Sequence, residues 1–183
     1  QKQHLELCRD IAQKFNNDFD VEGFLKVPEP LIQKEFSRIM SLKDGLKKMS
    51  KSELSDLSRI NLTDDKDQII NKIKKAKTDH LPMPKDVKEL EKRPEAQNLL
   101  GIYTSLNSST LETSIAKFAG KNFSEFKDEL SETLVDKIMP ISDEIKKLLK
   151  DQSYLDSILL NGVENANKIA SKKIKNIKEI VGF

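Results

Sequence analysis

The sequence predicts a mostly α-helical protein in which a short mixed α/β part comes before a longer run of helices. Apolar residues make up 37% of the 183 residues and charged residues 34%, a balance typical of globular domains with exposed helices. There are six glycines, six prolines, two tyrosines and no tryptophan, which argues against a β-sandwich or barrel. Short β-prone runs occur only before about residue 60. This length suits one domain, or one and a half, with a real hydrophobic core.

Charge and cysteine content limit the functional classes. The net charge of +2 does not predict nucleic-acid binding, although KIKKAK (72–77) and KIASKKIKNIK (168–178) are locally basic. The single Cys8 excludes an intramolecular disulfide framework and indicates a reducing compartment, so we expect a cytoplasmic protein. No run of about 18 apolar residues is available to span a membrane. The chain starts at Gln1 and not at methionine, and we expect an upstream portion to be missing.

The first sixty residues are predicted to hold one helix and two short strands. Apolar spacing predicts a helix over residues 2–16. The proline-rich segment FLKVPEPLI (24–32) predicts a short strand and an extended connector. SRIMSL (37–42) predicts an inner strand that runs directly into a lysine-rich loop, the kind of place where α/β proteins bind ligands. The predicted apolar face of the helix over residues 2–16 consists of His4, Cys8, Ile11, Ala12 and Phe15.

The later segments are predicted to be helices, each with a local start signal. Thr63 is the expected N-cap of the first, and Pro94 is expected to open the second. Ser109, with Glu112 three residues later, matches a capping box. Residues 123–150 continue as a helix bent at Pro140.

The last helix, over about 153–181, is amphipathic. Its apolar stripe predicts that the helix packs on another apolar surface. The stripe consists of Val163, Ala166, Ile169, Ala170, Ile174, Ile177 and Ile180.

The segment Lys48-Met49-Ser50-Lys51-Ser52, called here the KMSKS loop, carries the strongest chemical signal. Lysines three residues apart on a loop can converge on one polyanion, and each ammonium brings a full charge and three donors. The serine hydroxyls and backbone N–H groups add neutral donors. A solvated surface loop is the alternative interpretation for any lysine-rich segment.

Four blocks in order and at family spacing resemble tryptophanyl-tRNA synthetases of the bacterial or organellar type. KMSKS itself matches the second signature of class I aminoacyl-tRNA synthetases. The tyrosyl enzymes are the nearest competitor within the class. The blocks are QKQHLELCRDIAQKFN, RIMSLKDGLKKMSKS, INLTDD…INKIKKAKTD and YLDSILLNGVENANKIASKKIKNIKEIVGF.

The resemblance implies a tryptophan–tRNA ligase that forms tryptophanyl-adenylate from ATP and tryptophan and transfers it to tRNA(Trp). It implies that Lys48 and Lys51 are catalytic, that Ile39 contacts ATP, and that Met49 through Ser52 line the nucleotide. Gln1 corresponds to a glutamine close to the amino acid. Magnesium accompanies the ATP, no metal site of the protein's own is expected, and the whole enzyme is a homodimer.

The resemblance also implies a domain plan. Residues 1–60 form the C-terminal part of a Rossmann-type α/β catalytic domain, 61–152 a helical anticodon-binding domain, and 153–183 a helix that packs back on the catalytic domain. No His-Ile-Gly-His-like motif is present, so the chain alone is expected to be inactive. The family's Asp-Pro-Thr ahead of the lysines is replaced by Asp44-Gly45-Leu46, and Gly45 is expected to loosen a hinge.

Two other functional classes are compatible with the same residues. One is a non-catalytic synthetase-like protein that binds RNA or ATP, with KIKKAK or the last helix touching phosphates. The other is a helical interaction module with an incidental lysine loop. His4 and Cys8, four residues apart, form a metal-ligand pair without a third ligand, so a packing role is favoured.

Overall fold

The computed structural model describes residues 2–31 and 38–183. Within these residues the protein is mostly helical, as predicted. A 3₁₀ turn, Asp56–Ser58, follows the strands. The elements are α1 (Lys2–Asp18), β1 (Met40–Ser41), β2 (Asp44–Lys48), α2 (Lys66–Lys74), α3 (Val87–Glu91), α4 (Pro94–Leu106), α5 (Leu111–Phe118), α6 (Phe123–Leu148) and α7 (Gln152–Val181).

The chain divides into two compact units, Gln1–Gln33 with Gln152–Phe183, and Lys34–Asp151. In the first unit, the buried Asn16 of α1 fixes the segment that follows the helix. Its amide accepts from the N–H of Leu25 at 2.9 Å and donates to the carbonyl of Leu25 at 2.8 Å. The predicted strand over 24–32 is wrong for residues 24–31, which pair with no strand among the described residues. A side-chain amide supplies the hydrogen bonds that a neighbouring strand would have given.

The long helix α7 ends close to its predicted boundary but exposes its apolar stripe. None of its described residues is buried, and Ile174 is 51% exposed. Within its own unit, Lys173 donates to the carbonyl of Phe24 and its ammonium lies 3.6 Å from the ring centroid of Phe24. The described residues therefore do not bury the stripe, and packing of this helix on the catalytic part stays a prediction.

The core of the second unit lies between α2, α4, α5 and α6. Three aromatic rings meet edge to face at its centre, with centroids 4.8 to 6.1 Å apart: Tyr103, Phe118 and Phe126. Such contacts stabilise a core beyond simple area burial. The fully buried aliphatic residues around them include Ile69, Ile73, Leu90, Leu99, Leu100 and Leu130.

The helix starts of this unit were predicted with mixed success. Pro94 opens α4 as expected. The N-cap of α2 is Asp65 and not Thr63, because Asp65 and Gln68 form a reciprocal capping box. The N-cap of α5 is Thr110, which accepts from the N–H of Thr113, so the predicted Ser109 box is wrong.

Strands β1 and β2 form an antiparallel hairpin that carries the KMSKS loop. Met40 pairs with Lys48, and Ser41 pairs with Asp44. Gly45 in β2 presses against the start of α4, where an added Cβ would lie 2.6 Å from the N of Glu95 and from the C of Pro94. The predicted loose hinge at Gly45 is therefore wrong, because the position is a close backbone contact.

We expect Gly45→Ala to destabilise the protein by about 2 kcal/mol, because helix and hairpin must separate to admit the methyl group. Gly162→Ala is the matched control, since nothing lies within 4 Å of its added Cβ and it sits inside α7. The control should be stabilising by about 0.5–1 kcal/mol. Urea unfolding followed by circular dichroism measures both, and equal effects of the two substitutions would contradict the close contact.

Candidate functional site

The KMSKS loop begins inside the hairpin. Lys48 is the last residue of β2, and the N–H of Met49 donates to the carbonyl of Ile39 at 3.0 Å. The chain then turns, with the hydroxyls of Ser50 and Ser52 hydrogen-bonded at 2.8 Å. Met49 is partly buried against the core. The lysine-rich stretch is thus part strand and part turn, and not wholly a loop as predicted.

The two lysines that the sequence singles out are both exposed. Among the described residues neither Lys48 nor Lys51 forms an ion pair, whereas the neighbouring Lys47 lies 3.7 Å from Asp44. Two ammonium groups three residues apart are therefore available to an anion. A cluster of uncompensated cations on a turn favours a phosphate-rich ligand over a neutral one.

Four of the six predicted ATP contacts line two separate cavities, and Lys48 and Ser52 line neither of the two. A cavity of about 430 Å³ is lined by Met49, Ser50, Lys51 and residues 59–63. Ile39 lines a different cavity of about 910 Å³, between the hairpin and α4. The structure therefore brings Met49, Ser50 and Lys51 to one cavity and Ile39 to another, although the Ile39 carbonyl is bonded to the N–H of Met49. Gln1 lies outside the described residues.

Asn98 of α4 holds the first strand of the hairpin in place. Its side-chain amide accepts from the N–H of Met40 at 2.8 Å and donates to the carbonyl of Met40 at 2.8 Å, as a paired strand would. Sequence analysis did not predict this contact, because a polar residue in a helix gives no signal of its distant partner. Asn98 fixes the backbone beside Ile39 and so positions the hairpin on the helices.

A second anchor joins the hairpin to the segment that follows α2. Leu42 accepts from the N–H of Lys77 at 2.7 Å and donates to the carbonyl of Ser58 at 2.9 Å. The ammonium of Lys77 lies 2.8 Å from Glu95 of α4. This ion pair lowers the pKa of the Glu95 carboxyl and raises that of Lys77. Three segments of its own unit therefore hold the hairpin: α4 through Asn98, the 3₁₀ turn through Ser58, and the chain after α2 through Lys77.

Lys72 of α2 is only 3% exposed. Its ammonium is 2.6 Å from Asp64 and 2.6 Å from Asp56. The suggestion that lysines of KIKKAK contact RNA is therefore wrong for Lys72, because its ammonium is buried in ion pairs with Asp56 and Asp64. The signal was present in the sequence, since Lys72 falls on the same helix face as the buried Ile69 and Ile73.

Other site types find little support in the part of the chain that the structure describes. No group of three or more His, Cys, Asp or Glu side chains could hold a metal ion there. Cys8 is exposed. None of the described helices is both long enough and apolar enough to cross a membrane.

Comparison with known proteins confirms the resemblance seen in the sequence. The profile of the family "tRNA synthetases class I (W and Y)" matches residues 1–177. A tryptophan–tRNA ligase of Caulobacter vibrioides is 50% identical over 183 residues, which is 100% of this chain and 53% of that protein. One from Rickettsia felis is 52% identical over the whole chain and 54% of its own length. The chain thus spans about half the length of these curated relatives.

Solved structures give the same result. Tryptophanyl-tRNA synthetase from Mycoplasma pneumoniae aligns with a TM-score of 0.84 at 28% identity, covering 100% of this chain and 54% of that one. The Campylobacter jejuni enzyme, complexed with ADP and tryptophan, aligns with a TM-score of 0.67 at 26% identity, over 99% of this chain and 54% of that one. These matches support the predicted fold class, the C-terminal part of a Rossmann-type catalytic domain followed by a helical domain.

Proposed function

Because this chain belongs to the class I tRNA synthetases specific for tryptophan and tyrosine, we propose that the whole protein is a tryptophan–tRNA ligase. The curated relatives support tryptophan over tyrosine, since they carry the name tryptophan–tRNA ligase. The same names favour an enzyme over a non-catalytic binding protein. In this proposal the substrates are ATP, with its Mg²⁺, tryptophan and tRNA(Trp).

The observation that carries the proposal is the pair of ammonium groups on the KMSKS loop, Lys48 and Lys51, which form no ion pair with any residue that the structure describes. In the activation step a carboxylate oxygen of tryptophan attacks the α-phosphorus of ATP, and the bond from that phosphorus to the bridging oxygen breaks. The electron pair leaves with pyrophosphate, so negative charge grows there. Lys48 and Lys51 stabilise this charge, and a cation that meets it only as the bond breaks lowers the barrier.

The remaining loop residues have supporting roles in this proposal. The hydroxyls of Ser50 and Ser52, already 2.8 Å apart, present donors to the phosphates, and Met49 packs beside the nucleotide. Ile39 contacts the nucleotide from the start of the hairpin. Gln1 contacts the tryptophan.

Partners and location complete the proposal. The protein acts in the cytoplasm as a homodimer, and its helical elements contact tRNA(Trp). Residues 1–60 belong to the catalytic domain, 61–152 to the anticodon-binding domain, and 153–183 to a helix that packs on the catalytic domain.

The test is ATP–pyrophosphate exchange by the whole protein with each amino acid in turn. Exchange dependent on tryptophan, and at least about a hundredfold weaker with tyrosine, is the expected result. Exchange driven by tyrosine would reassign the substrate. Absence of exchange with either amino acid would overturn the enzymatic proposal.

We expect the 183-residue chain on its own to form no tryptophanyl-adenylate, because it spans about half of its relatives and carries no His-Ile-Gly-His-like motif. The measurement is tryptophan-dependent ATP–pyrophosphate exchange by the purified chain, with the whole protein as the control. Turnover comparable to that of the whole protein would mean that the active site lies entirely within residues 1–183.

A further inference from the structure

Four charged side chains form a cluster where the KMSKS loop rejoins the fold. We name it the Asp56 cluster: Asp56, Arg59, Asp64 and Lys72. The ammonium of Lys72 lies 2.6 Å from both Asp56 and Asp64, and the guanidinium of Arg59 lies 3.1 Å from Asp56. The two positive and two negative charges balance, which makes a partly buried cluster tolerable.

Neutral donors fix the geometry of the carboxylates. The side-chain amide of Asn61 donates to Asp56 at 3.0 Å and to Asp64 at 3.1 Å, and its backbone N–H donates to Asp64 at 2.8 Å. The carbonyl of Asp64 accepts from the hydroxyl of Ser142 in α6 at 3.2 Å. The cluster is therefore attached to two helices and has little freedom to move.

Arg59 connects the cluster to the loop. Its guanidinium donates to the carbonyl of Glu53 at 2.9 Å, and Glu53 directly follows Ser52. Arg59 and Asn61 also line the 430 Å³ cavity together with Lys51. Two ion pairs, Lys72–Asp56 and Asp56–Arg59, and the hydrogen bond from Arg59 to Glu53 thus connect buried Lys72 to the residue that follows the KMSKS loop.

Burial differs sharply along this path. The side chain of Lys72 is 3% exposed and that of Asp64 5%, whereas that of Asp56 is 54% exposed. The hydrogen bond from Lys72, followed by that from Asn61, lowers the pKa of the Asp56 carboxyl. Lys72 and Asp64 are buried, and Asp56 is the exposed carboxylate between Lys72 and Arg59. Asp56 can therefore be substituted without disturbing the hydrophobic core.

We propose that Asp56 is a positioning residue for the KMSKS loop, holding Arg59 on the carbonyl of Glu53 and so setting where the Lys51 ammonium meets the phosphates of ATP. The inference rests on the proposed function, because it requires Lys51 to act on ATP. Asp56 lies outside the KMSKS motif, and in this proposal it affects the reaction only by positioning that motif.

The first test is a double-mutant cycle in the whole protein, using Asp56→Asn and Lys51→Ala. Asp56→Asn should lower kcat/KM for ATP in pyrophosphate exchange about tenfold, because a small misplacement of a charged group is costly. In the Lys51→Ala background the same change should have less than about a twofold effect, since coupled residues are not additive. In all four proteins tryptophan affinity should change much less than kcat/KM for ATP.

The matched control is Glu144→Gln, which removes one carboxylate charge from the 3.4 Å pair with Lys147 on α6. It should leave exchange kinetics unchanged. Equal effects of Asp56→Asn in both Lys51 backgrounds would overturn the proposal, because the aspartate would then act by a route independent of the loop.

The second test does not depend on catalysis. Amide hydrogen exchange of residues 49–55 in the whole protein without ATP should be faster in Asp56→Asn than in wild type or Glu144→Gln. An unchanged rate of amide hydrogen exchange in residues 49–55 would overturn the positioning role. The result could also be faster amide hydrogen exchange in Asp56→Asn but no loss of pyrophosphate exchange in Lys51→Ala. That result would support positioning of the loop and overturn the proposed role of Lys51.

Discussion

Lys51→Ala in the whole protein is expected to slow adenylate formation about a hundredfold, the usual cost of one donor that acts on transition-state charge. Lys51 lies on the turn of the KMSKS loop and forms no ion pair with any described residue, so its charge is available to the substrate. Tryptophan affinity should change much less, because the ammonium meets the pyrophosphate oxygens mainly as the bond to the α-phosphorus breaks. Pre-steady-state adenylate formation and equilibrium tryptophan binding measure the two effects.

Neighbouring substitutions serve as controls. Lys48→Ala should act in the same direction. Ser55→Ala should leave the rate of adenylate formation nearly unchanged. The residue lies just past the loop, and its hydroxyl makes a long, weak contact of 3.5 Å with the exposed Lys43. Lys51→Arg should not fully restore the rate, because a planar guanidinium differs in shape from a compact ammonium. If the adenylation rate of Lys51→Ala lay within about twofold of wild type, Lys51 would not act on the phosphates. The loop would then be an ordinary solvated turn.

Lys72→Met is expected to destabilise the protein by about 3 kcal/mol or more, because it leaves the carboxylate of Asp64 buried without its cation. Asp64 is 4% exposed, so water does not replace the lost partner. Methionine is apolar and of similar length, so the loss reflects the missing charge more than a cavity. Urea unfolding of the chain, followed by circular dichroism, measures the change.

The matched control is Lys74→Met, two residues further along α2 and exposed. It removes the same charge from the same helix and should change the free energy of unfolding by less than about 0.5 kcal/mol. If both substitutions had the same small effect, the ion pairs of Lys72 with Asp56 and Asp64 would not contribute to folding.

Local patterns in the sequence determined several elements without any tertiary information. Pro94 opens α4 because its fixed φ suits the first helical turn and its missing N–H is not needed there. The apolar spacing near the C-terminus located α7, which runs over Gln152–Val181. The KMSKS residues and their flanking blocks located the family, since they keep their order along the chain. For the two helices the signal lies within the element that it predicts, whereas the family signal is spread along the chain.

Only the tertiary structure decided how the KMSKS loop is held. Asn98 binds Met40 across 58 positions of sequence, Gly45 meets the backbone of Pro94, and Lys72 turns inward to Asp56 and Asp64. Each residue has an ordinary alternative in sequence: a surface amide, a flexible hinge and a solvated lysine. Which alternative holds depends on a distant partner brought close by packing, and local propensity carries no information about that partner. The sequence therefore pointed to the residues that we propose carry the chemistry. The packing of the hairpin on α4 and on the segment after α2 decided how they are positioned.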